Sequence, residues 1–283
     1  MADYASITGG NAPDSIVGQN RDVEDVGRDW NAFYFIESAN VFLDRFQTTG
    51  DSMVEASNNP SAVHIELGSG TDTIHTGAGA DTIWAGGGTD AIDAGRGDNT
   101  VSGGGGDDLI ESGDGADSLA GGEGEDTVFA GLGADKVEGG GGDDTLFGEG
   151  GDDSLFGGSG ADALFGGQGE DSLVGGGGAD TLMGGGGADT LFGGFGADVF
   201  AFDDGFGQDV IQDFKPGDKL EFAADLNGTG IADAGDVIPM VTGGTTAAGT
   251  KFTVITIGSD TIRLEKVDHT DFISNINDWV QVR

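Results

Sequence analysis

The 283-residue sequence predicts an all-β fold, a parallel β-solenoid closed by a capping region at each end. Three observations carry this expectation. From Leu67 to Ala201 the chain matches itself at a shift of nine residues, through 15 units without an insertion. The eighth position of every unit is large and apolar, from Ile74, Ile83 and Ile92 to Leu182, Leu191 and Phe200. The fourth position is always glycine, and 44 of the 59 glycines lie inside the array. A repeat this short cannot bury its apolar face alone and must stack on its copies, so the period outranks local propensity.

Each unit divides into a turn and a strand. Positions 1 to 6 are glycine-rich and suit a turn whose backbone visits positive φ and passes close to a neighbour. Positions 7 to 9 read as a short strand, with position 8 facing inward and positions 7 and 9 outward. Proline is absent from 67–201, as expected where strand N–H groups are all paired. Position 6 is Asp in 14 of the 15 units: Asp72, Asp81, Asp90, Asp108, Asp117, Asp126, Asp135, Asp144, Asp153, Asp162, Asp171, Asp180, Asp189 and Asp198. Asn99 is the exception. Stacked turns bring these carboxylates together, which is unfavourable unless a cation lies among them. Calcium suits such a place, because it takes about 6–8 oxygen ligands in flexible geometry, backbone carbonyls included. Magnesium demands stricter octahedral geometry, and zinc favours His or Cys.

Units such as GGSGADALF (157–165) and GGQGEDSLV (166–174) resemble the RTX nonapeptide G-G-x-G-x-D-x-U-x at every defined position. The resemblance implies a parallel β-roll in which two units make one turn and calcium sits between turns stacked on the same edge. Carried over to this array, it implies roughly 13 calcium ions. The array holds 26 acidic residues and two basic ones, Arg96 and Lys136, so that number of divalent cations comes close to neutralising it. Some units depart from the pattern. Asn99 lacks a charge although Asp98 stands beside it, and Glu149 replaces the glycine at position 2. The first units lack glycine at position 1, which predicts weaker sites at the N-terminal end of the roll.

The array sets the expected domains: an N-terminal cap or partner-binding region over 1–66, the calcium-binding roll over 67–201, and a β-rich C-terminal cap over 202–283. In the first of these, GGNAPDSIV (9–17) reads as a degenerate unit. Trp30, Phe33, Ile36, Ala39, Leu43 and Phe46 recur at near-helical spacing, although FYFI (33–36) reads equally as a strand. A solenoid end needs covering, which a flank of this kind supplies.

After the array, DVIQDFKPGDKLEF (209–222) resembles the segment that follows the roll in secreted RTX metalloproteases. GTKFTVITIGSDTIRLEKV (249–267) resembles the terminal strands of many RTX tails and reads as a hairpin. Phe252 and Val254 share one face of its first strand, and Ile255 and Ile257 lie on the other. Gly258-Ser259-Asp260 supplies a turn, and Ile262 and Leu264 resume the alternation. In the family this region carries an uncleaved C-terminal signal for a type I secretion exporter. Between these stretches, DLNGTGIADAGD (225–236) places Asp225, Asn227, Thr229, Asp233 and Asp236 at EF-hand-like positions, a candidate for a further calcium site.

Charge and missing motifs narrow the function. With 51 acidic residues against 11 basic ones, a net charge of -40 makes the chain a poor partner for nucleic acid. There is no cysteine for disulfides or thiolate sites, and MADYASITGG has neither the basic nor the apolar region of a signal peptide. No apolar run approaches the roughly 18 residues that suggest a transmembrane segment. The three histidines, His64, His75 and His269, form no H-E-x-x-H, and no G-x-S-x-G occurs. The zinc site of the RTX proteases and the nucleophile of the RTX lipases are therefore missing, and the chain is read as not an enzyme. Positions 3 and 5 carry no ladder of Thr and Asn of the kind that binds ice.

The outward position 9 forms two apolar rows, Phe129, Phe147, Phe165, Met183 and Phe156, Val174, Phe192, which suit the docking of a cap or a partner. Together these readings point to a secreted protein of a Gram-negative bacterium that folds on extracellular calcium. Its expected role is structural or adhesive, at the cell surface or in a biofilm matrix, with self-assembly into a homo-oligomer or filament. The alternative is a soluble calcium-dependent effector acting on host membranes.

Overall fold

The computed structural model describes residues 50–224 and 226–283 in full. Of the preceding residues it describes the backbone of five strands: Ala5–Ile7, Ser15–Gln19, Val23–Asp25, Ala32–Ser38 and Val41–Asp44. The chain divides into two compact units, Met1–Thr145 and Leu146–Arg283.

In the first unit, successive strands alternate between two parallel sheets. One sheet takes Ala5–Ile7, Val23–Asp25, Val41–Asp44, Val63–Glu66, Thr82–Gly87, Thr100–Gly105, Ser118–Glu123 and Lys136–Gly141 in that order. The other takes Ser15–Gln19, Ala32–Ser38, Ser52–Glu55, Thr73–His75, Ala91–Asp93, Leu109–Glu111 and Thr127–Leu132. Within the repeats Thr82 pairs with Thr100, which pairs with Ser118, so one coil consumes two nonapeptides. The ladders continue beyond Leu67 toward the N-terminus, where Met53 pairs with Thr73 and Val41 with Val63. Phe33 and Ile36 lie in one of these flanking strands and Leu43 in another, so FYFI is a strand. Trp30, Ala39 and Phe46, and residues 9–14 of the degenerate unit, lie outside the described residues.

Many strands are longer than the three residues expected. Thr82–Gly87 and Thr100–Gly105 run from position 7 of one unit to position 3 of the next. The alternation therefore carries through, and position 1 faces inward like position 8: Ile83, Ala85, Val128 and Ala130 are all fully buried. The inward column of Ile, Val and Leu at position 8 is at most 2% exposed throughout the array. One such side chain per nine residues contributes about 2 kcal/mol, and ordering each backbone residue costs about 1–2 kcal/mol. The apolar column is thin for the length of chain it must hold.

Glycine at positions 2 and 4 answers a steric demand. Gly86 and Gly88 have φ of 112° and 124°, and a Cβ on either would fall 1.9 Å from a carbonyl oxygen of the preceding coil. Glu149 is the one side chain forced into a position 2 with positive φ, at 72°.

The second unit repeats the architecture and then closes it. Ser154–Ser159, Ser172–Gly177, Thr190–Phe195 and Gln208–Ile211 form one parallel ladder, which Asp260–Glu265 joins before Lys251–Ile257 and Val241–Thr245 add antiparallel strands. Ala163–Gly169, Thr181–Gly187, Val199–Phe202, Lys219–Phe222 and Val280–Val282 form the other. The expected hairpin is present, with Ile255, Ile257, Ile262 and Leu264 buried and Arg263 laid over the Phe252 ring at 4.0 Å. Two short helices, His269–Ser274 and Ile276–Trp279, bring Phe272 and Trp279 against Phe214, whose ring also meets Phe200. Phe200 puts an aromatic ring into the inward column, and its register partner Leu220, with Ile211 and Leu264 on the other sheet, returns that column to aliphatic side chains.

The outward rows of position 9 also form in this unit. Phe147 stacks on Phe165 at 4.8 Å, and Phe156, Val174 and Phe192 occupy equivalent places on successive strands.

Candidate metal centre

Position 6 ends the turn and precedes the strand, where the chain passes from glycine-rich backbone into the ladder. All 14 array aspartates at this position are at most 3% exposed. Their carboxylates are aligned by a repeated hydrogen bond, in which an Asp N–H donates to Oδ1 of the residue 18 positions ahead. In the first unit Asp72, Asp90 and Asp108 donate to Asp90, Asp108 and Asp126 at 2.8 Å each. Asp81 donates to Asn99, which donates to Asp117. Asn99 preserves this link because its amide oxygen accepts as a carboxylate does. In the second unit Asp153 and Asp171 donate to Asp171 and Asp189, and Asp162 and Asp180 donate to Asp180 and Asp198. Each unit thus holds two columns of carboxylates. Asp98 has a separate place: it is exposed and accepts from the Ala116 N–H.

The second carboxylate oxygen is the unusual feature. Oδ2 of Asp90, Asp108, Asp126, Asp171 and Asp180 is buried without a hydrogen-bond partner. A buried charged oxygen left unpaired is strongly unfavourable. Burial pushes the pKa of Asp90 and Asp180 from 3.8 to about 6, and that of Asp108 and Asp171 to about 7. The backbone N–H at Oδ1 pulls the other way, and neighbouring carboxylates add to the rise.

Position 1 shows what surrounds Oδ2. A Cβ placed on Gly166 would lie 2.4 Å from Asp171 Oδ2 and 2.5 Å from the Gly184 carbonyl oxygen. Gly148 and Gly157 repeat this arrangement with Asp153 and Asp162. Oxygen atoms from one carboxylate and the next coil's backbone therefore converge on a space kept open by glycine. An anionic, all-oxygen donor set of this kind fits calcium and offers zinc no nitrogen or sulfur. Among the described residues no group of three or more His, Cys, Asp or Glu side chains gathers in one place. Any cation here relies on backbone carbonyls beside one or two carboxylates.

The columns extend past the repeats. Asp189 donates to Asp209 at 3.0 Å and Asp198 to Asp218 at 3.1 Å, both through coils of 20 residues. Asp209 is 1% exposed, its Oδ2 has no partner, and burial raises its pKa to about 8. Neither residue falls on the nine-residue period. GFGQDVI (205–211) still keeps glycine, Asp and the apolar residue at positions 2, 4, 6 and 8, which is the signal that marks the first of them.

Elsewhere the carboxylates serve local structure. Asp233 caps the helix Ala234–Val237 by accepting from Gly235, and Asp236 accepts from Ala232 and Asp233. Asn227 donates to Asp260 and to the Ile257 carbonyl. In the EF-hand-like loop Asp233 and Asp236 thus hold backbone N–H donors and Asn227 is itself a donor, while Asp225 lies outside the described residues. The histidines are dispersed: His64 meets Trp84 edge-on, His75 lies 3.8 Å from Glu55, and His269 is beside Asp268. Among the described residues no helix is long and apolar enough to cross a membrane.

Comparison with known proteins bears on the columns directly. A family model described as the RTX calcium-binding nonapeptide repeat (four copies) matches residues 67–101, 102–137, 138–173, 165–200 and 174–211, just over half of the chain. Among solved structures, the crystal structure of extracellular lipase LipA from Serratia marcescens aligns at 22% identity with a TM-score of 0.37. The alignment covers 69% of this chain and 40% of that one, and a likeness so loose says nothing of activity. No curated protein matches the sequence.

Proposed function

The chain belongs to the RTX family of calcium-binding nonapeptide-repeat proteins, and on that premise we propose that it is secreted unfolded and folds on calcium outside the cell. Its role there is structural or adhesive, at the surface or in the matrix of a Gram-negative bacterium. The observation that carries this reading is the buried Oδ2 atoms of Asp90, Asp108, Asp126, Asp171 and Asp180, which have no hydrogen-bond partner and favour a coil that folds around a cation.

In this proposal the position 6 residues Asp72, Asp81, Asp90, Asp108, Asp117, Asp126, Asp135, Asp144, Asp153, Asp162, Asp171, Asp180 and Asp189 hold calcium together with backbone carbonyls. Asp209 extends the set. Calcium supplies the positive charge that the carboxylates lack. The chain does the rest: its backbone amides fix Oδ1, a position 1 glycine keeps the space open in nine of the 15 units, and its apolar column lines the inside of each coil. A ligand that binds only the folded state stabilises it in proportion to the logarithm of its free concentration. Without calcium, a chain with a net charge of -40 repels itself and remains open, a state suited to a narrow type I exporter. The absence of the H-E-x-x-H and G-x-S-x-G motifs supports a role other than catalysis.

Circular dichroism of the full chain with and without a chelator tests the folding claim. The expected outcome is loss of most β signal in chelator and its return with calcium; an unchanged spectrum sinks the proposal. Electron microscopy of the calcium-loaded chain tests the role. Fibres or sheets support the matrix reading, and a monomer that permeabilises liposomes overturns it in favour of a membrane-directed effector.

A further inference from the structure

We propose that the Lys215 ammonium takes the place of a metal cation at the end of one carboxylate column, so that the Asp198–Asp218 rung carries no calcium. The inference rests on the calcium reading of the other rungs and concerns what this chain does where that reading stops.

The backbone pattern of the column is intact at this rung. Val199 pairs with Lys219 in parallel register, and the Asp198 N–H donates to Asp218 Oδ1 as each earlier aspartate does to the next. Both side chains are fully buried. The orientation of Oδ2 is kept as well, since a Cβ on Gly193 would lie 2.4 Å from Asp198 Oδ2, as at the other position 1 glycines. The partner is what changes. One coil earlier, Asp180 Oδ2 has none. At Asp198 the Lys215 Nζ donates to Oδ2 at 2.9 Å and also to Asp218 Oδ1 at 3.2 Å. The Lys215 backbone N–H completes the arrangement by donating to Asp218 Oδ2 at 2.9 Å. Every carboxylate oxygen that a cation would claim here already has a donor, and the donor carries the charge.

Charge separates this rung from another at which Oδ2 has a donor. At Asp117 the Ser112 hydroxyl donates to Oδ2 at 2.7 Å, and the Asn99 amide donates to that hydroxyl at 3.3 Å. A hydroxyl is neutral and retains lone pairs, so it can turn to accept a cation. An ammonium has three donors and no acceptor, and it repels a divalent ion. Lys215 is two-thirds buried, which limits the water that would screen that repulsion.

Equilibrium dialysis of the full chain against calcium, with the bound ion counted per chain, tests the assignment. Lys215→Ala is expected to bind one more calcium than the wild type, and Lys215→Arg the same number as the wild type. Equal counts for Lys215→Ala and wild type, both above zero, overturn this proposal while leaving the calcium reading of the array intact. A wild-type count of zero overturns both. Should Lys215→Ala fail to fold, anomalous diffraction from wild-type crystals at saturating calcium decides: a peak between Asp198 and Asp218 overturns the assignment, and peaks at other rungs with none there support it.

Discussion

Single residues in this protein are constrained by distances of about a van der Waals radius. A Cβ on Gly169 at position 4, with φ of 140°, would fall 1.8 Å from the Gly151 carbonyl oxygen. Backbone cannot yield as a side-chain tip does, so Gly169→Ala is expected to lose more than about 2 kcal/mol. Gly105 at position 3 would meet nothing within 4 Å, and Gly105→Ala is expected to change stability by less than about 0.5 kcal/mol. Glu149 presents the reverse case. Its φ of 72° is unfavourable for a side chain, and that side chain is exposed. Glu149→Gly is expected to gain about 1 kcal/mol, the left-handed strain less the added freedom of the unfolded glycine. Thermal melts of the three variants at saturating calcium check the set, and a stabilised Gly169→Ala would discredit the steric account. The sequence marks all three positions through the motif alone. What it leaves hidden is the reason, because the colliding atom belongs to a residue 18 positions away.

At the scale of strands and columns, the buried carboxylates impose a pH dependence with an unusual sign. In the metal-free fold their pKa lies above the unfolded value of 3.8, at about 6 to 8 for Asp90, Asp108, Asp171, Asp180 and Asp209. The folded state therefore holds more protons than the unfolded one between pH 4 and 8, roughly, and stability falls as pH rises through that window. In chelator, the roll is expected to keep more β signal at pH 5 than at pH 8.5. With calcium present the trend reverses, because protons compete for the same oxygens. Circular dichroism at the two pH values checks both arms, and a chelated chain more ordered at pH 8.5 contradicts the first. Much at this scale is legible from sequence: the inward column, the carboxylate column and the hairpin all follow from periodicity. Strand length is not legible, because glycine at positions 1 to 3 reads as turn by propensity, whereas ladder pairing such as Gly86 with Gly104 holds it extended. Asp209 and Asp218 escaped because two extra residues per coil break a strict period without breaking the register. The role of Lys215 is invisible in sequence, since only folding brings its ammonium to Asp198.

For the molecule as a whole, each repeat coil in the array deals with its partners at a fixed separation of 18 residues. Deleting 157–174 joins Phe156 to Gly175 and leaves every remaining type of contact represented. The shortened chain is expected to fold on calcium, to bind fewer ions in proportion, and to melt within a few degrees of the parent; failure to fold would show that particular coils are indispensable. Deleting 203–222 removes Asp209, Lys215 and Asp218 together with two strands of the closing ladder, and is expected to abolish cooperative melting. The near-identity of GGGGADTLM and GGGGADTLF adds a hereditary consequence. Unequal recombination between these adjacent copies changes the array by nine residues, half a coil, so an even number of such steps is needed to return the later strands to the same sheets. Array length is thereby an evolutionary dial, free to drift or to be selected for reach, while the closing segments stay fixed.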